Sequence, residues 1–274
     1  MDFLKAHGTG NDFVVFVDPD DAFEVSDALV RALCDRHMGI GADGVIRIGA
    51  PRSGGEVFMD YRNADGTAVE MCGNGVRVVA KVAVDHGLVP AVDDTVAVDT
   101  RAGVKPVTVR RGDDGKVAAA TVDMGPPVGD LRRFRLADRD WTGVSMGNPH
   151  AVTLVEDVTT APVTTLGPAV ETDPTFAAGT NVEFARVVDR RHVDLRVWER
   201  GVGETAACGT GACATLVALR DQDLVDDEAT IRLPGGELTV RYAPAEHPSV
   251  FLTGPAEVVA SGSLDPAWLA ARGQ

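Results

Sequence analysis

The chain has 274 residues and carries 41 Asp and Glu against 26 Lys and Arg, a formal net charge of −15; so acidic a balance argues against nucleic acid and anionic membranes, which need a basic face. With 45% hydrophobic and 24% charged residues it reads as a globular protein, with no apolar run approaching the ~18 residues of a membrane span, and Asp2, Lys5 and His7 ahead of the first apolar run do not read as a secretory signal. Four cysteines in such a chain point to a reduced, cytoplasmic setting, where each is core filler, metal ligand or reactive thiol.

In chain order, His7-Gly8-Thr9-Gly10-Asn11-Asp12 reads as a loop before a buried strand, Phe13 to Val17, closed by Asp18-Pro19. Ser26 is placed to cap a helix with Leu29, Val30, Leu33 and Cys34 on its apolar stripe and Gly39 at its end. On that stripe Cys34 is a small buried hydrophobe. Gly41-Ala42-Asp43-Gly44 turns into a second strand, and Met59 to Arg62 forms a third, closed by Asn63-Ala64-Asp65-Gly66. Glu70-Met71-Cys72-Gly73-Asn74-Gly75-Val76-Arg77 then opens a helix. Its charges Arg77, Lys81 and Asp85 fall four apart on an otherwise apolar segment, which predicts a narrow polar stripe. Period-two strands follow at Val96 and Val98, at Val107 and Val109, and from Val117 to Asp123, before Gly125-Pro126-Pro127 breaks the chain.

The second half repeats these signals. Gly147-Asn148-Pro149-His150 stands where Gly10-Asn11-Asp12-Phe13 stood, and Gly179-Thr180-Asn181-Val182 where Gly41-Ala42-Asp43-Gly44 stood. A strand from Val193 to Trp198 runs into Glu199-Arg200-Gly201. Cys208-Gly209-Thr210-Gly211 then opens a helix with no charge between Thr205 and Leu219, 136 positions after the first cysteine motif. Strands at Ile231 to Leu233, Leu238 to Tyr242 and Val250 to Leu252 lead to Gly254-Pro255. The fold expected is α+β, with two pseudo-symmetric halves. Each is a curved, mainly antiparallel, barrel-like sheet wrapped around a central apolar helix, and a pseudo-two-fold brings the two helix starts together. The halves divide as 1–125 with Cys72 and 126–262 with Cys208, and the segment 263–274 is placed with the first half.

A helix N-terminus presents unpaired N–H groups and about half a positive charge, and Gly-x-Gly lets the backbone approach a ligand, so each motif is an anion cradle. A cysteine there has its thiol pKa drawn down, into the range ~3.5–7.5. Two such thiols facing one carbon suit inversion: one takes a proton while the other delivers one to the opposite face, and the cradle stabilises charge developing on the carboxylate. That chemistry asks for no cofactor. Other readings of the motifs are structural cysteines, a phosphate loop without its third glycine or its lysine, a zinc site for which Cys208 and Cys213 lack a second ligand pair, and a redox switch joining Cys72 to Cys208.

Taken together, these anchors resemble the diaminopimelate epimerase family over essentially the whole chain. Its members interconvert the LL and meso forms of their substrate, without a cofactor, on the route to lysine and peptidoglycan. The resemblance implies Cys72 and Cys208 as the acid/base thiols, with no metal. Gly73, Asn74, Gly209 and Thr210 would cradle the reacting carboxylate. Asn11, Asn63, Asn148, Asn181, Glu199 and Arg200 would contact diaminopimelate, and His150 and Glu199 would tune the thiols. It also implies a homodimer, and a C-terminal segment near Leu264 to Arg272 packed on the first half. One departure is Gly44, where many members carry glutamine. Competing functions are a proline or hydroxyproline racemase on the same fold, which the Glu199-Arg200 pair and Asn74 disfavour, and a non-catalytic amino-acid-binding module or redox-thiol protein.

Overall fold

A computed structural model describes residues 1–90 and 92–272. The first strands are β1 (Asp2–Gly8), β2 (Asn11–Val17), β3 (Gly44–Gly49), β4 (Val57–Asn63), β5 (Thr95–Thr100), β6 (Gly103–Arg111) and β7 (Val117–Asp123), with helices α1 (Asp27–Cys34) and α2 (Gly73–Asp85). There follow β8 (Arg132–Leu136), β9 (Arg139–Ser145), β10 (Pro149–Leu154), α3 (Val163–Glu171), β11 (Asn181–Asp189), β12 (His192–Glu199) and β13 (Gly203–Thr205). The chain ends with α4 (Gly209–Asp221), β14 (Glu228–Leu233), β15 (Gly236–Arg241), β16 (Phe251–Gly254), β17 (Glu257–Ser263) and α5 (Pro266–Ala270). The architecture is α+β, and the chain forms two compact units, residues 1–122 together with the stretch from Gly254 onward, and residues 123–253.

Both units use the same strand order. In the first, β17-β1-β2-β3-β4-β5-β6-β7 are neighbours, with β2–β3 and β4–β5 parallel and the other pairings antiparallel. In the second, β8-β9-β10-β11-β12-β14-β15-β16 follow the same pattern, with β10–β11 and β12–β14 parallel. Here β13 adds to β12 as a short extra strand. The registers also agree: Phe13 lies opposite Gly44 as His150 lies opposite Asn181. The strand that precedes the first in order is β8 in the second unit. In the first unit that place is taken by β17, from the far end of the chain.

The sequence expectation carried the second half on to residue 262. Instead β17 pairs with β1 from Asp2↔Ser263 to His7↔Glu257, so the first unit reclaims the chain from Gly254. Beyond it Leu264 is buried among Val14, Phe16, Leu29 and Leu33, and Trp268 and Leu269 of α5 pack on the same cluster. The expected docking of 263–274 includes residues 273 and 274, which lie outside the described residues.

Each sheet encloses its helix. Helix α2 packs on β17, β1, β3, β4, β5 and β6, and α4 on β9, β10, β11, β14 and β15. Valine and alanine on α2 and small and aliphatic residues on α4 are buried nearly all round. The narrow polar stripe expected on α2 is largely covered. Arg77 is wholly buried, and Lys81 and Asp85 pair at 2.8 Å while also holding the backbone of Val117. The loop expected from His7 to Asp12 is a two-residue hairpin: β1 already runs to Gly8, and only Thr9 (φ 57°) and Gly10 (φ 81°) turn. Positive φ at both positions is the turn geometry whose twist matches paired strands. Ser26 caps α1 as expected, its hydroxyl accepting from the Leu29 amide at 3.2 Å, but α1 stops at Cys34, before Gly39. There Asp35 takes the amides of His37 and Met38 and turns the chain out of the helix.

Candidate active site

In the first unit, Cys72 is the N-cap of α2. Its extended backbone (φ −139°, ψ 117°) turns the sulfur back over the first turn, where it accepts from the Gly75 amide at 3.4 Å. The first N–H groups of a helix have no acceptor within it, so Gly73 and Asn74 offer the backbone on which an anion can rest. Asn11, at the start of β2, takes the Cys72 thiol hydrogen on Oδ1 at 3.7 Å and an Asn74 amide hydrogen on the same atom at 3.3 Å. The orientation of both amides follows from charge. Arg77 can only donate, and it donates to Asn74 Oδ1 at 2.6 Å, which leaves the Asn74 nitrogen for Asn11. Asn11 in turn donates to the Asp43 carboxylate at 2.9 Å. Arg77 is held by Thr9 Oγ1, the Gly73 carbonyl and the Pro255 carbonyl. Asn63 ends β4 and accepts from the Tyr61 hydroxyl at 2.8 Å.

The second unit repeats the cap. Cys208 precedes α4 with an extended backbone (φ −124°, ψ 111°) and accepts from the Gly211 amide at 3.3 Å. Gly209 and Thr210 form the first turn, and Thr210 Oγ1 lies 3.5 Å from the sulfur. Asn148 donates to that hydroxyl at 3.3 Å, and its Oδ1 lies 3.0 Å from His150 Nε2. Glu199, the last residue of β12, accepts from Thr205 Oγ1, and its carboxyl lies close enough to Cys208 for its charge to act on the thiol. Asn181 is buried and engages the backbone on both sides: it donates to the Pro149 carbonyl at 2.9 Å and accepts from the Arg200 amide at 3.0 Å. That fixes the base of Arg200, whose exposed guanidinium makes a hydrogen bond to the Ala178 carbonyl and no ion pair with any described residue.

The electrostatics correct one expectation. A helix N-terminus was expected to depress each thiol pKa, but Cys208 is pushed well up: burial comes first, then the charges of Glu199 and Glu183, and they outweigh the hydrogen bonds from Thr210 and the Gly211 amide. Burial likewise raises Glu199, against hydrogen bonds from Thr205 and Cys208. A buried carboxyl raised above its ordinary range beside a raised thiol is a pair between which a proton can move.

Each unit thus gathers its own share of the sequence candidates: Asn11, Asn63, Cys72, Gly73 and Asn74 in the first; Asn148, His150, Asn181, Glu199, Arg200, Cys208, Gly209 and Thr210 in the second. The sequence reading missed Glu183. It is wholly buried on β11, with Oε1 2.7 Å from His150 Nδ1. The signal was present as a lone carboxylate in the apolar stretch Val182-Glu183-Phe184-Ala185, where a charge needs a partner. Arg77 was read as part of a polar stripe and instead sits under the first cysteine motif.

Comparison with known proteins gives the class first. A Bacillus anthracis phenazine biosynthesis protein of the PhzF family superposes with a TM-score of 0.75 at 14% identity, covering 97% of this chain and 99% of that one. A hydroxyproline epimerase from Agrobacterium vitis gives 0.70 at 18% identity over 97% and 94%. At such identities the likeness shows the fold, and the chain has the fold of that class. The family model described as diaminopimelate epimerase matches residues 3–129 and 142–259. The diaminopimelate epimerase of Streptomyces coelicolor is 44% identical over 97% of this chain and 96% of its own, and that of Nitrosomonas europaea 40% over 97% and 99%. The chain belongs to the diaminopimelate epimerase family.

Proposed function

We propose that the chain is an isomerase that interconverts LL- and meso-diaminopimelate by moving the proton at one α-carbon, with Cys72 and Cys208 as the two acid/base groups. The observation that carries this reading is the doubled cap. Two cysteines, each at the start of a buried helix and each followed by Gly-x-Gly, receive a backbone N–H at 3.4 and 3.3 Å. Abstracting the weakly acidic α-proton places charge on the substrate carboxylate, which the helix-start N–H groups of Gly73, Asn74, Gly209 and Thr210 stabilise. One thiolate removes the proton and the opposite thiol supplies another, so the carbon inverts and the sulfurs exchange protonation states. Glu199, whose charge acts on the Cys208 thiol, is the group through which that thiol loses or regains its proton between turnovers.

Diaminopimelate has a second amino-acid end. An exposed Arg200 fork that pairs with no carboxylate among the described residues suits the distal carboxylate, and Asn11, Asn63, Asn148 and Asn181 fix the substrate or the groups that hold it. The same reading takes the working protein as a cytoplasmic homodimer.

The test is proton NMR of the reduced protein with LL-diaminopimelate in deuterium oxide. Loss of one α-proton signal together with appearance of the meso isomer is the expected result. Cys72→Ala and Cys208→Ala are each expected to abolish inversion, and normal turnover in either would overturn the two-thiol mechanism. Exchange with proline or hydroxyproline but not with diaminopimelate would move the substrate to the other racemases of this fold.

A further inference from the structure

The two cysteine sites are built on the same strands, yet the stations beneath them differ in kind. On β2 and β3 the first unit has Phe13 and Ile46; in the matching register β10 and β11 have His150 and Glu183. The match holds in space. A Cβ added at Gly75 would lie 3.2 Å from Ile46 Cδ1, and one added at Gly211 would lie 2.9 Å from Glu183 Oε1. Where one helix start rests on a hydrocarbon, the other rests on a carboxyl group that is 0% exposed, and His150 beside it is 1% exposed.

The hydrogen bonds that run from His150 through Asn148 to Thr210 share one direction. Asn148 Oδ1 can only accept, so His150 Nε2, 3.0 Å away, carries a hydrogen. The 2.7 Å line from His150 Nδ1 to Glu183 Oε1 then holds one proton, from the carboxyl group if the ring is neutral and from the ring if it is charged. In both cases the ring keeps its hydrogen on Nε2 while Glu183 shares the proton on Nδ1. With its oxygen taken, Asn148 turns its NH2 to Thr210 Oγ1 at 3.3 Å, and the Thr210 hydrogen is left to point at Cys208 Sγ at 3.5 Å. In the first unit the side chain beside the sulfur has the opposite polarity, although both sulfurs receive a backbone N–H. There Arg77, acting through Asn74, turns the Asn11 oxygen toward the Cys72 sulfur.

We propose that Glu183 is a positioning residue: by holding His150 in its Nε2-protonated form it fixes the amide of Asn148, and so makes Thr210, the side chain beside Cys208, donate to its sulfur where Asn11, the side chain beside Cys72, accepts. The inference rests on the reading of Cys208 as an acid/base group. It gives the two halves of a doubled site unequal roles, with the difference encoded at His150 and Glu183 rather than at the cysteine motifs.

The experiment compares Glu183→Gln, Glu183→Leu and the double substitution His150→Phe with Glu183→Ile, which installs the pair that already packs in the first unit. Two quantities are read: kcat for epimerisation, and the rates at which iodoacetamide alkylates Cys208 and Cys72, separated by mass spectrometry. Glutamine can still donate to Nδ1 and is expected to keep both near wild type. Leucine and the double substitution are expected to lower kcat by ~10–100-fold, the usual size for losing a group that orients a reacting residue. They are also expected to change the alkylation rate of Cys208 and not that of Cys72. If leucine fails to fold, glutamine and the double substitution carry the comparison. Wild-type behaviour of the double variant, a glutamine variant as impaired as the double, or equal changes at both cysteines would each overturn the proposal. The alkylation readout needs no substrate. A wild-type protein inert toward diaminopimelate whose Cys208 labelling still follows the expected pattern would overturn the epimerase reading and leave the role of Glu183 standing.

Discussion

Gly44 shows how much a single position depends on its neighbours. A Cβ placed there would meet the Arg62 carbonyl oxygen at 2.4 Å and Tyr61 Cε2 at 2.5 Å. The glutamine that the resemblance leads one to expect has no room, because the Tyr61 ring fills the space and its hydroxyl holds Asn63. Gly44→Ala is therefore expected to destabilise the protein by about 1–3 kcal/mol through overpacking, read as a lower denaturant midpoint at unchanged slope. Asp12 offers a pH test. Burial alone would raise its carboxyl, but hydrogen bonds from Arg36 and Lys5 prevail and hold it at about 2, against 3.8 when free. A depressed carboxyl contributes stability that is fully present above the unfolded pKa and is lost as the pH falls through the folded one. Asp12→Asn is accordingly expected to flatten the pH dependence of stability between about 4 and 2, measured by thermal unfolding across that range; an unchanged profile would show that the Arg36 and Lys5 contacts do not persist in solution. At this scale the cysteine motifs were legible, since a cap and its Gly-x-Gly are contiguous in sequence. Glu183 and Tyr61 were not, because each acts across strands and only the register says what it meets.

At the scale of elements, α4 depends on burial on every side. Leu216 is fully buried there, so Leu216→Ala is expected to cost about 2–5 kcal/mol, transfer and cavity together, measured by urea unfolding. A loss well below 1 kcal/mol would mean that the sheet closes over the gap. Strands with alternating or continuous apolar residues were readable from their period, as β2, β5 and β15 show. β1 was not: Asp2, Lys5 and His7 break its apolar pattern, because the strand is specified by its two neighbours and by the Thr9-Gly10 turn rather than by a buried face of its own. The charges on α2 misled for the opposite reason. A four-residue spacing marks one face of a helix, but spacing alone does not say whether water or a buried oxygen lies opposite.

At the scale of the molecule, the repeat was visible in the sequence and the place of its last strand was not. β17 ends in Gly262 and Ser263 and is largely exposed along its side chains, so no hydrophobic pattern announced that it closes the first sheet. Its contribution is the ladder it forms with β1. Ending the chain after Pro255 is expected to leave that edge bare and to speed hydrogen exchange in β1 and β2, while β9 to β15 keep their protection; unchanged exchange in β1 would show that the sheet does not need its last strand. The same strand governs how the protein is made. Every other strand of the first sheet has been synthesised by Asp123, yet the ~140 residues to the end of β17 take roughly 7–28 s more at ~5–20 residues per second. Throughout that interval the nascent chain exposes an unpaired β1 edge, so the half made first is the half that must wait, and guarding that edge from its neighbours on a polysome falls to whatever meets the chain as it leaves the ribosome.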